Sequence, residues 1–446
     1  MRERILFCII IFALGTGLYI FQNYINTFFA FVALILVLTV YGIYLILATK
    51  HRKRKLLKNP KIINEDYKPF VSIMIPAHNE EKVITKTVEN ILQVDYENFE
   101  IIVIDDRSDD NTANVIRDIE KKYDNVKALV RDKNAFPGKS AVLNDALLLA
   151  KGEAILVFDA DATIQPDLLK KMIPSLEPQD VGAVQARKVI RNQDFNVLTK
   201  CQNNEYSLDT HFQTGRDAVK GAVELRGNGE LIKRTALEDI GGWNNYTITD
   251  DLDMSTRLHL KGWDVRFCPD AVVYEEGVIY LVPLYRQRRR WLEGSIRRYL
   301  EYFGQALNSN KMSLRAVFDM TVYISEFILP IWFMLEVVFR GVKFALGKIP
   351  SNDLYLSFAI GITLGIGFFT SIRYSLRRYD NMPRWEAIKQ AFITSLYMFI
   401  IWMPTVIFIY AKIVLRPKDL DWGKTAHGLV LEEENNQKNK KELQGV

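Results

Sequence analysis

Cysteine is scarce in this sequence, and what there is stands apart: Cys8, Cys201 and Cys268 form no CxxC pair and share no Cys/His spacing suited to zinc. A disulfide scaffold and a thiolate metal centre are therefore excluded, and the thiols are expected to be reduced and buried, as in a cytosolic domain. Histidine is equally thin, five residues scattered over 446, so any metal chemistry must run on oxygen ligands. No GxGxxG follows the first predicted strand, which argues against a Rossmann dinucleotide site, and the lack of GxxxxGK[ST] excludes a P-loop enzyme. Nor is charge of one sign in great excess. The net charge of +5 is modest, and basic residues gather beside apolar segments, a pattern that orients membrane proteins more often than it binds nucleic acid.

Hydrophobic residues at 49% and charged ones at 25% are ordinary figures, but both ends of the chain are apolar and the middle is polar. Ile5 to Ile20 and Thr27 to Ala48 are nearly uncharged and long enough to cross a hydrocarbon core of roughly 30 Å. No clear small-residue cleavage site follows the first, so residues 1–50 are expected to be two transmembrane helices and not a signal peptide. The run KHRKRKLLKNPK, Lys50 to Lys61, should keep a basic linker over 51–69, and the polar middle beyond it, in the cytoplasm. Three later stretches, about Val317 to Phe339, Leu354 to Ile372 and Ala391 to Leu415, make 313–416 a second membrane region. Asp319, Glu326 and Glu336 in the first of them point to packing against protein or an interfacial position. An odd number of crossings would put the polar tail, 417–446, outside, whereas its lysines suit the cytoplasm; the sequence leaves that parity open.

From Phe70 to about Arg187 the pattern alternates. FVSIMIPAHN, FEIIVIDD, VKALVRD and AILVFDAD read as strands, with helices predicted over Glu80 to Leu92, from Asn111, and over Lys139 to Ala150. Such alternation implies an α/β fold with a doubly wound, mainly parallel sheet, which binds ligands beyond the C-terminal ends of its strands. Those ends carry Pro76, Ala77, His78, Asn79 and Glu80 on the first strand, Asp105 and Asp106 on the second, and Asp159 and Asp161 on the fourth. The last pair stops an apolar run, LVFDADATI. Like charges that close repel, and neither buries without a partner. In an extended chain residues two apart point the same way, so both could face a divalent cation. A capped helix start would account for the same pair, but acids and hydrogen-bonding groups at three strand ends tilt the reading towards a ligand. Lys139, in FPGKSAVLN at a predicted helix start, can supply a positive charge for phosphate.

In chain order the sequence also holds PAHNEE, VIDDRSDDNT, PGKSAVLNDAL, FDADA, TDD at Thr249 to Asp251, and QRRRW at Gln287 to Trp291. From about Phe70 to Tyr299, with apolar segments on both sides, the chain resembles the membrane-integrated, inverting nucleotide-sugar glycosyltransferases of family 2. The resemblance implies a GT-A domain over 70–280, cytosolic and flanked at both ends by transmembrane helices of the cell membrane. It implies that Pro76, Ala77, Glu80 and Asp106 hold the uridine of a UDP-sugar, that Lys139 contacts the diphosphate with Asp159 nearby, and that Asp161 coordinates Mg2+ or Mn2+. Asp251 falls at the general base; this chain has Asp250 where the family usually has Glu. Residues 281–312 read as amphipathic interfacial helices on which Gln287, Arg290 and Trp291 share a face for acceptor and diphosphate, while Arg288, Arg289, Arg297 and Arg298 would face lipid phosphates.

A base and a metal without an enzyme nucleophile predict inversion, an α-linked UDP-sugar giving a β-glycoside. The stretches around RGNGE and QRRRWLEGSIRRYLEY are similar to the cyanobacterial-type enzymes that move glucose from UDP-glucose to diacylglycerol, so a lipid acceptor is expected. A processive synthase of poly-N-acetylglucosamine, hyaluronan or cellulose type is the alternative; an inactive scaffold or sensor is remote, since every acid of the motifs is present. Glu224, Arg226 and Asn228, just before the base, are candidates for shaping the sugar pocket.

Overall fold

The computed structural model of the chain describes residues 27–58, 64–348 and 351–416, with isolated positions before residue 27. The first expected transmembrane helix lies largely outside the described residues, as do Cys8 and the tail over 417–446. Cys201 and Cys268 are buried free thiols, as expected.

Eight strands make one sheet in the order β3-β2-β1-β4-β7-β6-β8-β5. Its first half follows the sequence pattern: β1 (Val71–Ala77), β2 (Phe99–Asp105), β3 (Val126–Val130) and β4 (Ala154–Val157) run parallel. Every residue of β1 is buried, because helices cover both faces and an apolar run is what such a strand requires. Ile73 and Ile75 pack towards the helices Ile84–Ile91 (α2), Thr112–Lys122 (α3) and Leu168–Leu176 (α5). Met74, Ile102 and Ile104 pack towards Lys139–Leu147 (α4), Arg234–Asp239 (α7) and Asp250–Lys261 (α8).

The second half corrects the expectation of a mainly parallel sheet. β7 (Glu230–Lys233) runs antiparallel to β4 and to β6 (Val181–Ile190), and β5 (Thr163–Ile164) antiparallel to β8 (Asp264–Glu275); β6 and β8 are parallel. The sheet is mixed. An antiparallel strand needs no crossover helix, and β7 enters from the RGNGE turn, where Gly227 and Gly229 take φ of +79° and +73°. A Cβ at Gly229 would stand 2.7 Å from the Val273 side chain, so the turn fits only without one.

Long helices flank the sheet domain. Thr27–Lys58 (α1) continues unbroken through the basic run, so residues 51–58 are helical where a linker is expected. After the sheet come Leu281–Leu307 (α9), Leu314–Ala345 (α10), Ser351–Tyr379 (α11) and Arg384–Leu415 (α12). Among the described residues, α12 is the one helix long and apolar enough to cross a membrane.

The helix Val197–Val219 (α6) joins the two parts, packing on α1, α11 and α12. Leu208 and Phe212 pack on Ile372, Leu376 and Ala391, and polar contacts run beside them: Asn204 donates to Thr394 at 2.8 Å, and Arg216 Nε donates to Asp319 Oδ2 at 2.7 Å. Asp319 also accepts the Ala222 amide at 2.8 Å and the Tyr41 hydroxyl. Asp319, one of the three acids that mark Val317 to Phe339 as unusual for a lipid-facing span, thus ties α10 to the sheet domain. Removing it leaves Arg216 buried beside one remaining acid, and breaking a buried pair costs about 3–5 kcal/mol. Asp319→Ala should therefore lower the thermal midpoint of detergent-solubilised protein sharply, while Arg216→Met with Asp319→Leu recovers most of the loss.

Candidate active site

The C-terminal ends of the parallel strands open into a cavity of about 1330 Å³. Pro76 and Glu80 line it from the end of β1, and Lys139 from the start of α4. Ala77 and Asp106 do not. Asp106 is fully buried, its Oδ1 accepting from Arg131 at 2.6 Å and Arg107 at 2.9 Å, because a carboxylate out of water needs such partners. Arg131 reaches on to the Phe136 carbonyl at 2.9 Å, so Asp106 shapes the loop 136–138 that leads into Lys139. In that loop Gly138 holds φ of +106°.

Asp159 and Asp161 both line the cavity, but not by strand pleating. The strand ends at Val157, and Ala162 donates its amide to the Asp159 carbonyl at 3.1 Å, so the pair sits on a turn. Asp159 accepts from Lys139 Nζ at 2.6 Å, and Asp161 Oδ2 accepts the Glu276 amide at 3.2 Å. Lys139 Nζ also donates to the Gly227 carbonyl at 2.7 Å. Burial works against its charge, but Asp159, Asp250 and Glu230 outweigh that and raise its pKa, so it remains an ammonium.

Thr249 precedes α8, and Asp250 and Asp251 stand in its first turn, where the helix dipole favours negative charge. Asp251 Oδ1 accepts the Leu252 amide at 2.8 Å. A Cβ on Gly227 would lie 3.4 Å from Asp251 Oδ2, so the RGNGE turn rests on this carboxylate. Burial, then the Asp250 charge, pushes the Asp251 pKa above the ordinary carboxylate range. Glu230 rises for the same reasons: burial, then Asp251 and Asp250. Sequence reasoning gave Glu230 no role, although it closes the RGNGE turn and its Oε1 accepts the Gly227 amide at 2.6 Å. Asp250 Oδ2 is buried with no hydrogen-bond partner among the described residues.

Helix α9 brings Gln287, Arg290 and Trp291 to the cavity together, as their spacing predicts. Their basic neighbours do otherwise. Arg288 is fully buried on Glu205 at 2.7 Å, Arg298 is buried on Glu224 at 2.8 Å, and Arg297 pairs with Glu293 at 3.0 Å. The expectation that these arginines face lipid phosphates is corrected: each is turned inward to a carboxylate. Arg289 lies over Phe408, 3.9 Å from its ring centre. Gly294 allows α9 to approach the TDD segment, since a Cβ there would stand 2.3 Å from the Thr249 side chain. Apolar residues line the same cavity as well: Leu38 and Ile46 of α1, Phe368 of α11, and Phe399 and Met403 of α12.

The family description "Glycosyltransferase like family 2" matches residues 69–294. The chain is 40% identical over 365 residues to a beta-monoglucosyldiacylglycerol synthase of Trichormus variabilis, covering 80% of this chain and 76% of that protein. It is 31% identical over 246 residues to a poly-beta-1,6-N-acetyl-D-glucosamine synthase of Staphylococcus epidermidis, covering 55% of this chain and 59% of that one. Among solved structures, a mannosyltransferase from Pyrobaculum calidifontis, in complex with GDP-Man and Mn2+, superposes with a TM-score of 0.53 at 20% identity, covering 83% of this chain and 98% of that one. That likeness shows a shared fold of GT-A type. With an acid-lined cleft at the strand ends and a family match across the whole sheet domain, the chain belongs to the glycosyltransferases of family 2.

Proposed function

We propose that this glycosyltransferase moves glucose from UDP-glucose to diacylglycerol at the cytoplasmic face of the cell membrane, inverting the anomeric centre. The observation that carries the reading is the continuity of one cavity from the acids at the strand ends to an apolar groove between α1, α11 and α12. A water-soluble donor and a lipid acceptor can then meet without either leaving its own medium. The name of the Trichormus relative supports the same acceptor and sugar. In this reading α1 and α10 to α12 anchor the chain in the bilayer, 70–280 is the catalytic domain, and α9 lies at the interface.

Pro76 and Glu80 would hold the uridine directly, with Asp106 acting through Arg131 and the loop 136–138. Mg2+ or Mn2+ fits the donor set: Asp161 and Asp159 offer oxygen ligands from one turn of the cavity wall. Among the described residues no three side chains gather as a metal cage, and a hard cation shared with a diphosphate needs only one or two carboxylates. Bound there, the cation would neutralise charge gathering on the departing diphosphate. Lys139 and Arg290 bring cationic side chains to the same cavity. Asp251 takes the proton of the attacking hydroxyl, and its raised pKa makes it a better base than an exposed aspartate. Asp250, which lines the same cavity beside the base, would accept a hydroxyl of the donor sugar. No side-chain nucleophile is needed, so a single displacement turns an α-linked donor into a β-glycoside.

The deciding experiment gives purified protein in detergent radiolabelled UDP-glucose or UDP-N-acetylglucosamine, Mg2+ and diacylglycerol, then separates organic-soluble from polymeric product. Label should enter the organic phase from UDP-glucose only when diacylglycerol is present, and Asp251→Asn should lower the rate by about 10²–10⁴-fold, the usual worth of a general base. Label in a large polymer made without added lipid would replace this reading with a polysaccharide synthase. The base is active only when ionised, so kcat/KM should rise with pH through an acid limb above the ~4 of an exposed aspartate. Asp250→Asn removes the second-largest cause of the shift and should move that limb to lower pH; a wild-type limb at the ordinary value would rule Asp251 out.

A further inference from the structure

We propose that Lys188 and Glu275, set between the rings of Tyr206 and Trp291, form a subsite that binds the hydroxyl-bearing head of an uncharged acceptor and aims it at Asp251. The proposal rests on the transferase reading above and adds to it which residues select the acceptor.

Four elements converge on this point. Lys188 comes from β6, Glu275 from the end of β8, Tyr206 from α6 and Trp291 from α9, and all four line the cavity. Lys188 Nζ pairs with Glu275 Oε2 at 3.0 Å and donates to the Arg226 carbonyl at 3.2 Å. It stands 4.9 Å from the Tyr206 ring centre and 5.7 Å from that of Trp291, a cation shared by two aromatic faces. Glu275 also accepts the Tyr206 hydroxyl and, at 3.4 Å, the Asn228 amide. Burial opposes the ammonium charge, but Glu275 and then Asp159 raise its pKa, so Lys188 remains a donor.

Counting the groups leaves a definite vacancy. An ammonium has three N–H donors and a carboxylate about four lone-pair sites. Lys188 uses two donors on Glu275 and Arg226, and Glu275 uses three sites on Lys188, Tyr206 and Asn228. Among the described residues one Lys188 donor and one Glu275 acceptor site are left for a ligand, the complement of an alcohol, which both gives and takes a hydrogen bond.

The charge around the pair selects for a neutral head. Lys188 is neutralised by Glu275, Arg288 by Glu205 at 2.7 Å, and Arg226 by Glu224 at 2.8 Å and Asp209 at 2.7 Å. A phosphate arriving at the Lys188–Glu275 pair would find these three cations taken and carboxylates facing it. Position agrees with the role. Lys188 feels the charges of both Asp159 and Asp251. On the other side the Arg288 guanidinium lies 4.1 Å from the Trp291 ring centre, and its partner Glu205 accepts from Trp402 Nε1 at 3.1 Å. Trp402 belongs to α12, whose Phe399 and Met403 begin the apolar groove. The subsite therefore stands where a lipid's head would emerge from its chains.

The test uses full-length protein in mixed micelles with a short-chain diacylglycerol, reading the KM for acceptor, the KM for UDP-glucose, and UDP-glucose hydrolysis without acceptor. Lys188→Met should raise the acceptor KM about tenfold, the worth of a lost hydrogen bond to a charged group, with donor KM and hydrolysis little changed. Glu275→Gln should also create a new property: with Lys188 no longer neutralised, phosphatidic acid should become a competitive inhibitor. A fall in hydrolysis or a rise in donor KM parallel to the acceptor effect would overturn the proposal, as would an unchanged acceptor KM. Absence of any inhibition by phosphatidic acid in Glu275→Gln would overturn the selection for neutral heads. A wild-type enzyme that hydrolyses UDP-glucose but gives diacylglycerol nothing would refute the functional reading instead, before any variant is compared.

Discussion

Glu224 sits where the molecule is joined, and three arginines meet on it: Arg298 at 2.8 Å, Arg226 at 2.8 Å and Arg216 at 3.3 Å. Each belongs to a different part of the protein. Arg298 is on α9, Arg226 opens the glycine turn beneath Asp251, and Arg216 on α6 carries the connection to Asp319 of α10. Burial works against a charged Glu224, but the three guanidinium groups hold its pKa well below the usual carboxylate range. A buried carboxylate with three cationic partners cannot shift without stranding one of them. The long helices and the RGNGE turn are thus joined to each other through one buried carboxylate, and removing any single partner leaves a charge without its counterpart.

In the proposed reading that arrangement lets one cleft serve two media. The acids at the strand ends belong to the α/β sheet domain, while α1, α11 and α12 supply apolar lining of the same cavity. Between them lies a belt of paired charges, Lys188 with Glu275 and Arg288 with Glu205, backed by aromatic rings. Polar groups satisfied pairwise cost less to bury than single ones, so the belt can border both water and hydrocarbon.

Much of this was legible in the residues. The first four strands announced themselves because a parallel strand covered on both faces must be apolar throughout, and the cavity opens at their C-terminal ends. The spacing of Gln287, Arg290 and Trp291 placed them correctly on one face of α9. What stayed hidden depended on partners distant in the chain. Nothing local distinguishes Arg288 from Arg290; the difference is Glu205, far upstream, which draws one inward. Asp106 lies behind the cavity wall because of Arg131, and β7 is only four residues long, with its direction set by the two glycines before it. Asp159 and Asp161 reached the same wall for a reason other than pleating, since the strand had already ended.

Gly294 carries a consequence for how the cleft can behave. With no room for even a methyl group between α9 and Thr249, and with Tyr302 of α9 bonded to Asp253 of α8 at 2.7 Å, the two helices touch backbone to side chain and cannot close further. The spacing of α9 and α8 along this wall of the cavity is therefore set by a hard stop, like a caliper locked at one opening.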